Sequence, residues 1–241
     1  MSTYVLIHGA YHGGWCWNKV VPLLEAAGHE VVAPDLPSHG QDNTPIAEVT
    51  LDAYAKRACE VAAAQSEPVI LVGHSMGGRV ITQAAEHCPD NIETLVYLTA
   101  NLLKNGIYLA PESPKRSAAD RAASATLSDD GVYRIANLDM VGRIYYNDCS
   151  DEDVERAKAF ICNQAVIPSD TPMQTTDENF GRVPRVYIEC LRDNAIPIDA
   201  QRAMYAALPC KTVFTMDSSH SPFFSAPEEL AKHLLSLSTG L

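Results

Sequence analysis

Basic residues are scarce in this sequence. Its 241 residues include 18 Lys and Arg against 30 Asp and Glu, which gives a formal net charge of -12. Nucleic acid and anionic membrane surfaces are polyanions, so they repel a chain with this charge balance. We therefore predict a protein with no nucleic-acid partner and no membrane partner.

Long apolar runs are also absent. The first apolar stretch, residues 4–7, is too short for the hydrophobic segment of a signal peptide. No basic flank precedes this stretch, because the first basic residue is Lys19. We therefore expect a cytoplasmic protein.

The cysteines lack the spacing of a metal or redox site. Seven cysteines form an odd set, and no two of them follow the C-x-x-C pattern. This set gives no sign of a disulfide framework either. We therefore expect reduced, mostly buried thiols in a protein that needs neither a metal nor a cofactor. The cysteines are Cys16, Cys59, Cys88, Cys149, Cys162, Cys190 and Cys210.

Short strand-like segments alternate with amphipathic helical patterns along most of the chain. Most strand-like segments are apolar at consecutive positions, as in strands that are buried on both faces of a sheet. This alternation predicts an α/β fold, with a parallel sheet covered by helices on both sides in a single domain of residues 1–241. The predicted strands are residues 4–7, 30–33, 69–72, 94–98, 185–190 and 211–216, and the predicted helices are residues 17–27, 51–65, 76–87, 197–207 and 227–237.

Residues 101–181 interrupt the alternation. This stretch contains prolines, glycines and short helical patterns, but no clear strand. An insertion of this length in a compact domain is more often functional than a plain connection. We expect a mainly helical cap, inserted after the fourth strand, above a core of residues 1–100 and 182–241.

The most informative motif follows the third predicted strand. It reads Gly73-His74-Ser75-Met76-Gly77, and a helical pattern begins directly after it. Glycines on both sides of the serine permit a sharp turn between strand and helix, which exposes the hydroxyl above the sheet edge. Ser75 is therefore the candidate nucleophile, with Gly73, His74 and Gly77 as supporting residues.

A serine nucleophile needs a base, and histidine is the side chain whose proton affinity suits both uptake and return of a proton. Among the eight histidines, His220 follows the last predicted strand on a loop. In hydrolases with a strand-turn-helix nucleophile, the order along the chain is serine, acid, histidine. This order favours His220 over His29, His87 and His233.

The acid should follow the strand that precedes the histidine loop. Asp193 is three residues beyond the end of that predicted strand, which makes it the candidate for orienting the base. Three rival carboxylates lie nearby: Glu189 inside the strand, Asp199 at the start of the next helix, and Asp217 close to the histidine.

Attack on an ester carbonyl generates an oxyanion that backbone N–H groups can stabilise. The turn around the nucleophile offers the N–H of Met76, and the glycine-rich loop after the first strand offers the N–H of Ala10 beside Gly9. Phosphate binding by this loop is disfavoured, because neither G-x-G-x-x-G nor a P-loop lysine is present. We expect His8 and His12 to brace the loop.

With these residues assigned, the chain resembles the α/β-hydrolase superfamily. Within it, the chain is similar to the plant methylesterase and hydroxynitrile lyase group and to its bacterial carboxylesterase relatives, including pyrethroid hydrolases. The likeness covers nearly the whole chain. It implies a doubly wound six-stranded parallel sheet, a homodimer and, from the chain's ending, a bacterial source. The residues that carry it are 8–17, 22–29, 72–78, 186–189, 193, 196–197, 201–202, 219–225 and 227–228.

Two positions distinguish the activities of this group. Hydroxynitrile lyases of the group carry a lysine after the triad histidine and a threonine after the first-strand histidine, whereas this chain has Ser221 and Gly9. Without a cation for the departing cyanide, ester hydrolysis is favoured. We predict a serine carboxylesterase that hydrolyses small hydrophobic esters through an acyl-enzyme. Cyanohydrin cleavage and a non-catalytic small-ligand receptor on the same fold remain open.

Overall fold

A sheet of six parallel strands forms the centre of the computed structural model, which describes residues 1–115 and 118–238. In chain order the strands are β1 (Thr3–Ile7), β2 (Glu30–Val32), β3 (Val69–His74), β4 (Ile92–Leu98), β5 (Ala125–Leu127), β6 (Tyr133–Ala136), β7 (Gln164–Ala165), β8 (Arg185–Cys190) and β9 (Thr212–Met216). The large sheet has the order β2-β1-β3-β4-β8-β9. The predicted six-stranded parallel sheet is confirmed.

Helices cover both faces of the sheet. The first predicted helix begins later than expected, because a 3₁₀ turn, Gly14–Trp17, precedes it and Pro22 fits only in the first turn of a helix. In chain order the helices are α1 (Val21–Ala26), α2 (Leu51–Ala63), α3 (Gly77–His87), α4 (Ala118–Ser124), α5 (Leu138–Tyr145), α6 (Asp151–Phe160), α7 (Val166–Asp170), α8 (Ile198–Ala207), α9 (Pro222–Ser225) and α10 (Pro227–Leu237). None of those in the described ranges is long and apolar enough to cross a bilayer.

The central strands are buried on both faces, which explains their consecutive apolar residues. Val5 and Leu71 belong to one hydrophobic cluster with residues of α2 and α3. Leu6 and Val72, their neighbours along the strands, belong to a second cluster with residues of α1 and α10. Successive strand side chains point to opposite faces, so each strand contributes to two cores.

The strand order defines where a site can form. From β1 the chain moves outward to β2 and then returns to β3 on the other side of β1. In open parallel sheets, a crevice forms at the carboxyl ends of the strands where the order reverses. This crevice lies between the loop after β1 and the turn after β3.

The inserted residues 101–181 leave the sheet after β4 and return to it at β8. They contain α4 to α7, in agreement with a mainly helical cap inserted after the fourth strand. They also contain a small antiparallel sheet, β5-β6-β7, which was not predicted. Its strands are two to four residues long, too short to produce a recognisable alternation in the sequence.

The cysteine prediction was wrong for one pair. Cys59 on α2 and Cys88 at the end of α3 form a disulfide, with their Cα atoms 5.9 Å apart. The two helices pack side by side, which brings together residues that are 29 positions apart in the sequence. The other five cysteines are free thiols, as expected. An odd number of cysteines therefore does not exclude a single disulfide.

Reduction of this disulfide is expected to lower thermal stability. A disulfide that closes a loop of 29 residues lowers the chain entropy of the unfolded state, which stabilises the folded protein by about 3–4 kcal/mol. For a chain of this size, such a loss corresponds to a decrease in Tm of roughly 10 °C. Calorimetry with and without a reductant measures the shift. The Cys59→Ala, Cys88→Ala double variant should show no response to the reductant, and an equal response of both proteins would contradict the assignment.

Candidate active site

The turn between β3 and α3 presents Ser75 at the sheet edge. Ser75 has a φ of 54°, in the left-handed region that side chains rarely adopt. Its backbone is held on both sides, because its N–H donates to Leu98 and its carbonyl accepts from the N–H of Asn101 at 3.0 Å. A strained serine that the surrounding backbone fixes in this way is typical of a nucleophile elbow.

The predicted supporting glycines lie where no side chain fits. A Cβ atom on Gly73 would lie 2.6 Å from the carbonyl oxygen of Gly77. A Cβ atom on Gly77 would lie 2.8 Å from the carbonyl oxygen of His8, and one on Gly9 would lie 2.9 Å from Ser75 Cβ. The backbone is therefore in close contact among three segments: the loop after β1, the end of β3 and the start of α3.

His220 and Asp193 form a buried pair. The Nδ1–H of His220 donates to Asp193 Oδ2 at 2.7 Å, and both side chains are almost completely inaccessible to solvent. The second oxygen, Asp193 Oδ1, accepts from the backbone N–H groups of Ala195 at 2.7 Å and Ile196 at 2.8 Å. Thr99 Oγ1 also donates to Asp193 Oδ2. These donors fix the orientation of the carboxylate.

The rival carboxylates have other partners. Glu189 pairs with Arg202 at 2.9 Å and accepts from Tyr205, and these hydrogen bonds hold its pKa below the ordinary value despite burial. Asp199 accepts from Ser113, and Asp217 is exposed beside Arg192. Only Asp193 faces His220.

His74 supports the histidine loop. Its Nε2–H donates to the backbone carbonyl of His220 at 2.8 Å, across 146 residues of sequence. The neighbour of the nucleophile therefore holds the loop that carries the candidate base. This contact agrees with the supporting role expected for His74.

The loop after β1 is braced by the two histidines that the sequence suggested. The Nδ1–H of His12 donates to the carbonyl of Ala10 at 2.7 Å, and His12 Nε2 accepts from Tyr146 at 2.5 Å. His8 Nε2 accepts from the N–H of Leu36, and His8 Nδ1–H donates to the carbonyl of Gly9 at 2.8 Å. Both rings are therefore neutral.

Gln164 of β7 attaches the inserted segment to this loop, and no sequence motif indicated it. Its Oε1 accepts from the N–H of Tyr11, a residue with a φ of 66°, and from His39 Nε2–H. Its Nε2–H donates to Tyr54, while the N–H of Cys162 donates to the carbonyl of Tyr11 at 3.0 Å. The partners of Gln164 are distant in the sequence, so no local sequence pattern indicates its role.

The buried histidines should make the protein sensitive to acid. Burial lowers the pKa values of His8, His39 and His74, and that of His12 to about 4. Below pH 6.5 the unfolded chain binds protons that the folded chain excludes, so stability falls as pH falls. For His12 alone the loss at pH 5 is about 2 kcal/mol.

Urea denaturation at pH 7 and pH 5 tests this expectation. The His12→Asn variant should lose less stability between these pH values than the wild type does. Equal stability of the wild-type protein at both pH values would contradict a neutral set of buried histidines.

The predicted residues meet at one cavity of about 440 Å³. Ser75, Met76, Ala10 and His220 line it, whereas Asp193 lies behind His220. The inserted segment contributes Tyr108, Leu109, Arg134 and Tyr145 among other residues to its lining. Ser75, the His220–Asp193 pair and the two residues predicted to donate backbone N–H groups therefore lie around one cavity.

Comparison with known proteins shows the family of the chain. Residues 4–233 match the model of the alpha/beta hydrolase family. A pyrethroid hydrolase from Sphingobium wenxiniae is 35% identical, covering 96% of this chain and 86% of that protein. An alpha-hydroxynitrile lyase from Arabidopsis thaliana is 34% identical, covering 98% and 96%. The crystal structure of a methylesterase from Arabidopsis superposes with a TM-score of 0.86 at 27% identity, and each chain is covered completely.

Proposed function

The chain belongs to the alpha/beta hydrolase family, and from that premise we propose that it is a serine carboxylesterase acting on small, largely hydrophobic esters. The observation that carries the proposal is the buried His220–Asp193 pair behind a cavity that Ser75 also lines. The similarity to a pyrethroid hydrolase and a methylesterase supports ester hydrolysis.

In the proposed reaction, Ser75 Oγ attacks the ester carbonyl while His220 Nε2 takes the hydroxyl proton. The N–H groups of Ala10 and Met76 stabilise the oxyanion of the tetrahedral intermediate. His220 then protonates the alcohol as the carbon–oxygen bond breaks, which leaves an acyl-enzyme. Water activated by His220 attacks the acyl group, and the acid leaves as Ser75 regains its proton. Asp193 stabilises the protonated imidazole in both steps.

Cyanohydrin cleavage is the second candidate, because one relative is a hydroxynitrile lyase. The residues of this chain favour hydrolysis. Ser221 and Gly9 occupy the two positions at which the resemblance to the hydroxynitrile lyases would require a lysine and a threonine. A receptor that binds a ligand without turnover is disfavoured by the complete set of Ser75, His220 and Asp193.

The experiment is a panel of esters that vary acyl and alcohol size separately, run beside mandelonitrile. We expect acid release from esters and covalent labelling by a fluorophosphonate at Ser75. Cyanide release without ester turnover would instead favour the lyase. Tight ligand binding with no turnover of any substrate would favour a receptor.

We further propose a bacterial, cytoplasmic homodimer. Five free thiols support a reducing compartment, and the bacterial relative supports the source. The Cys59–Cys88 disulfide instead favours an oxidising compartment. Counting the free thiols of protein alkylated in intact cells tests the proposal: seven thiols would support the cytoplasm, and five would contradict it. Sedimentation measures the oligomeric state.

A further inference from the structure

Arg79 is a buried cation in the wall of the active-site cavity. It lies in the first turn of α3, four residues after Ser75 in the sequence. Only 4% of its surface is accessible to solvent, and it lines the same cavity as Ser75 and His220. A charged residue at this depth next to a nucleophile requires a physical explanation.

The hydrogen bonds of Arg79 do not neutralise its charge. Nη1 donates to the carbonyl of Tyr108 and Nη2 to the carbonyl of Thr171, each at 2.5 Å. Both acceptors are neutral backbone groups of the inserted segment. The buried Nε–H has no partner. Burial lowers the pKa of Arg79 to about 10 and the nearby charge of Asp170 acts in the opposite direction, so the guanidinium remains charged at neutral pH.

No carboxylate of the described residues forms a salt bridge with Arg79. Asp170 also lines the cavity, but it pairs with Arg134 at 3.2 Å. Glu112, another lining residue, is exposed to solvent and engaged with other residues. Burying an unpaired charge costs several kcal/mol, so such charges are normally paired. A residue that served only to attach the inserted segment would need hydrogen-bond donors but no positive charge.

We propose that Arg79 binds a carboxylate carried by the substrate, so the preferred esters are those with an apolar body and one free carboxylate away from the ester bond. This proposal rests on the proposed ester hydrolysis at Ser75. A planar guanidinium with an unpartnered N–H suits a carboxylate, and the pairing would supply the directly hydrogen-bonded anion that Arg79 lacks among the described residues. The apolar walls, including Leu109, Ile196 and Pro197, accommodate the body of the molecule.

The test compares each acidic ester with its neutral primary amide, which has nearly the same shape. One pair, ethyl hydrogen adipate and ethyl adipamate, carries the group on the acyl side. The other, 4-acetoxybutanoate and 4-acetoxybutanamide, carries it on the alcohol side. In the wild type we expect kcat/KM for the acid to exceed that for the amide at least tenfold in one pair. A ratio near one in both pairs would overturn the proposal.

Two variants assign the preference to Arg79. Arg79→Gln keeps amide donors for the neighbouring carbonyls but removes the charge, so the acid-to-amide ratio should fall to about one. Arg182→Gln removes an exposed cation that pairs with Asp90 and does not line the cavity, so it should retain the ratio. Because each ratio is taken within one protein, a general loss of stability cancels. An unchanged ratio in Arg79→Gln would show that Arg79 only attaches the inserted segment.

Calorimetry on the Ser75→Ala protein separates this inference from the proposed function. If no ester is hydrolysed by the wild type, tighter binding of ethyl hydrogen adipate than of ethyl adipamate to Ser75→Ala still supports the carboxylate site. Loss of that difference in a Ser75→Ala, Arg79→Gln double variant assigns it to the guanidinium. Equal affinity for acid and amide in Ser75→Ala would overturn the inference even if ester hydrolysis is observed.

Discussion

Replacing Ser75 with alanine is expected to lower kcat for ester hydrolysis by about 10⁴- to 10⁶-fold. The variant lacks the atom that forms the acyl-enzyme, while the N–H groups of Ala10 and Met76 still bind the ester and leave some residual rate. KM should change little, since the hydroxyl is a small part of the cavity wall. Hydrolysis of a p-nitrophenyl short-chain ester measures the loss, and mass spectrometry should find no fluorophosphonate adduct.

A second serine provides the control for this experiment. Ser225 on α9 has a buried hydroxyl without a partner, and it does not line the cavity. Ser225→Ala should retain wild-type turnover and labelling. If Ser75→Ala still hydrolyses the ester within tenfold of the wild-type rate, the acyl-enzyme mechanism is wrong.

Changing Asp193 to asparagine should lower kcat by about a thousand- to ten-thousand-fold. The amide orientation is determined by the structure, because the N–H groups of Ala195 and Ile196 require an oxygen at the position of Oδ1. The NH₂ group must then occupy the position of Oδ2 and donate to His220 Nδ1. The imidazole proton moves to Nε2, so the ring can no longer accept the proton of Ser75.

The rival acids serve as controls for Asp193. Asp217→Asn removes only an exposed partner of Arg192, so kcat should stay within about twofold of wild type. Raising the pH should not rescue Asp193→Asn below pH 8, because the defect is a misplaced proton. A larger loss of kcat in Asp217→Asn than in Asp193→Asn would show that Asp193 is not the catalytic acid.

The sequence predicted the parts of the site that depend on order along the chain. Ser75 follows a strand and precedes a helix, and His220 follows the last strand, so both positions are visible as local patterns. The sheet was predictable for the same reason, since strands buried on both faces are apolar at every position. Of the four candidate carboxylates, Asp193 hydrogen-bonds His220, whereas its rivals have other partners.

Features that depend on contacts between distant segments could not be predicted. Gln164 meets Tyr11 across 153 residues, and the Cys59–Cys88 disulfide depends on how α2 packs against α3. Arg79 is one polar position in a helical pattern, where a charge normally faces solvent. Only the docking of residues 101–181 reveals that it is buried.

The bond from Gln164 to Tyr11 has a consequence for biosynthesis. A ribosome releases the nucleophile turn early, but the segment that braces the oxyanion loop emerges about 90 residues later, and His220 later still. Nascent chains shorter than this contain Ser75 but neither the proposed base nor the hydrogen bond from Tyr11 to Gln164. The residues proposed for catalysis are therefore present together only after residue 220 has been synthesised, so shorter translation products lack the proposed base.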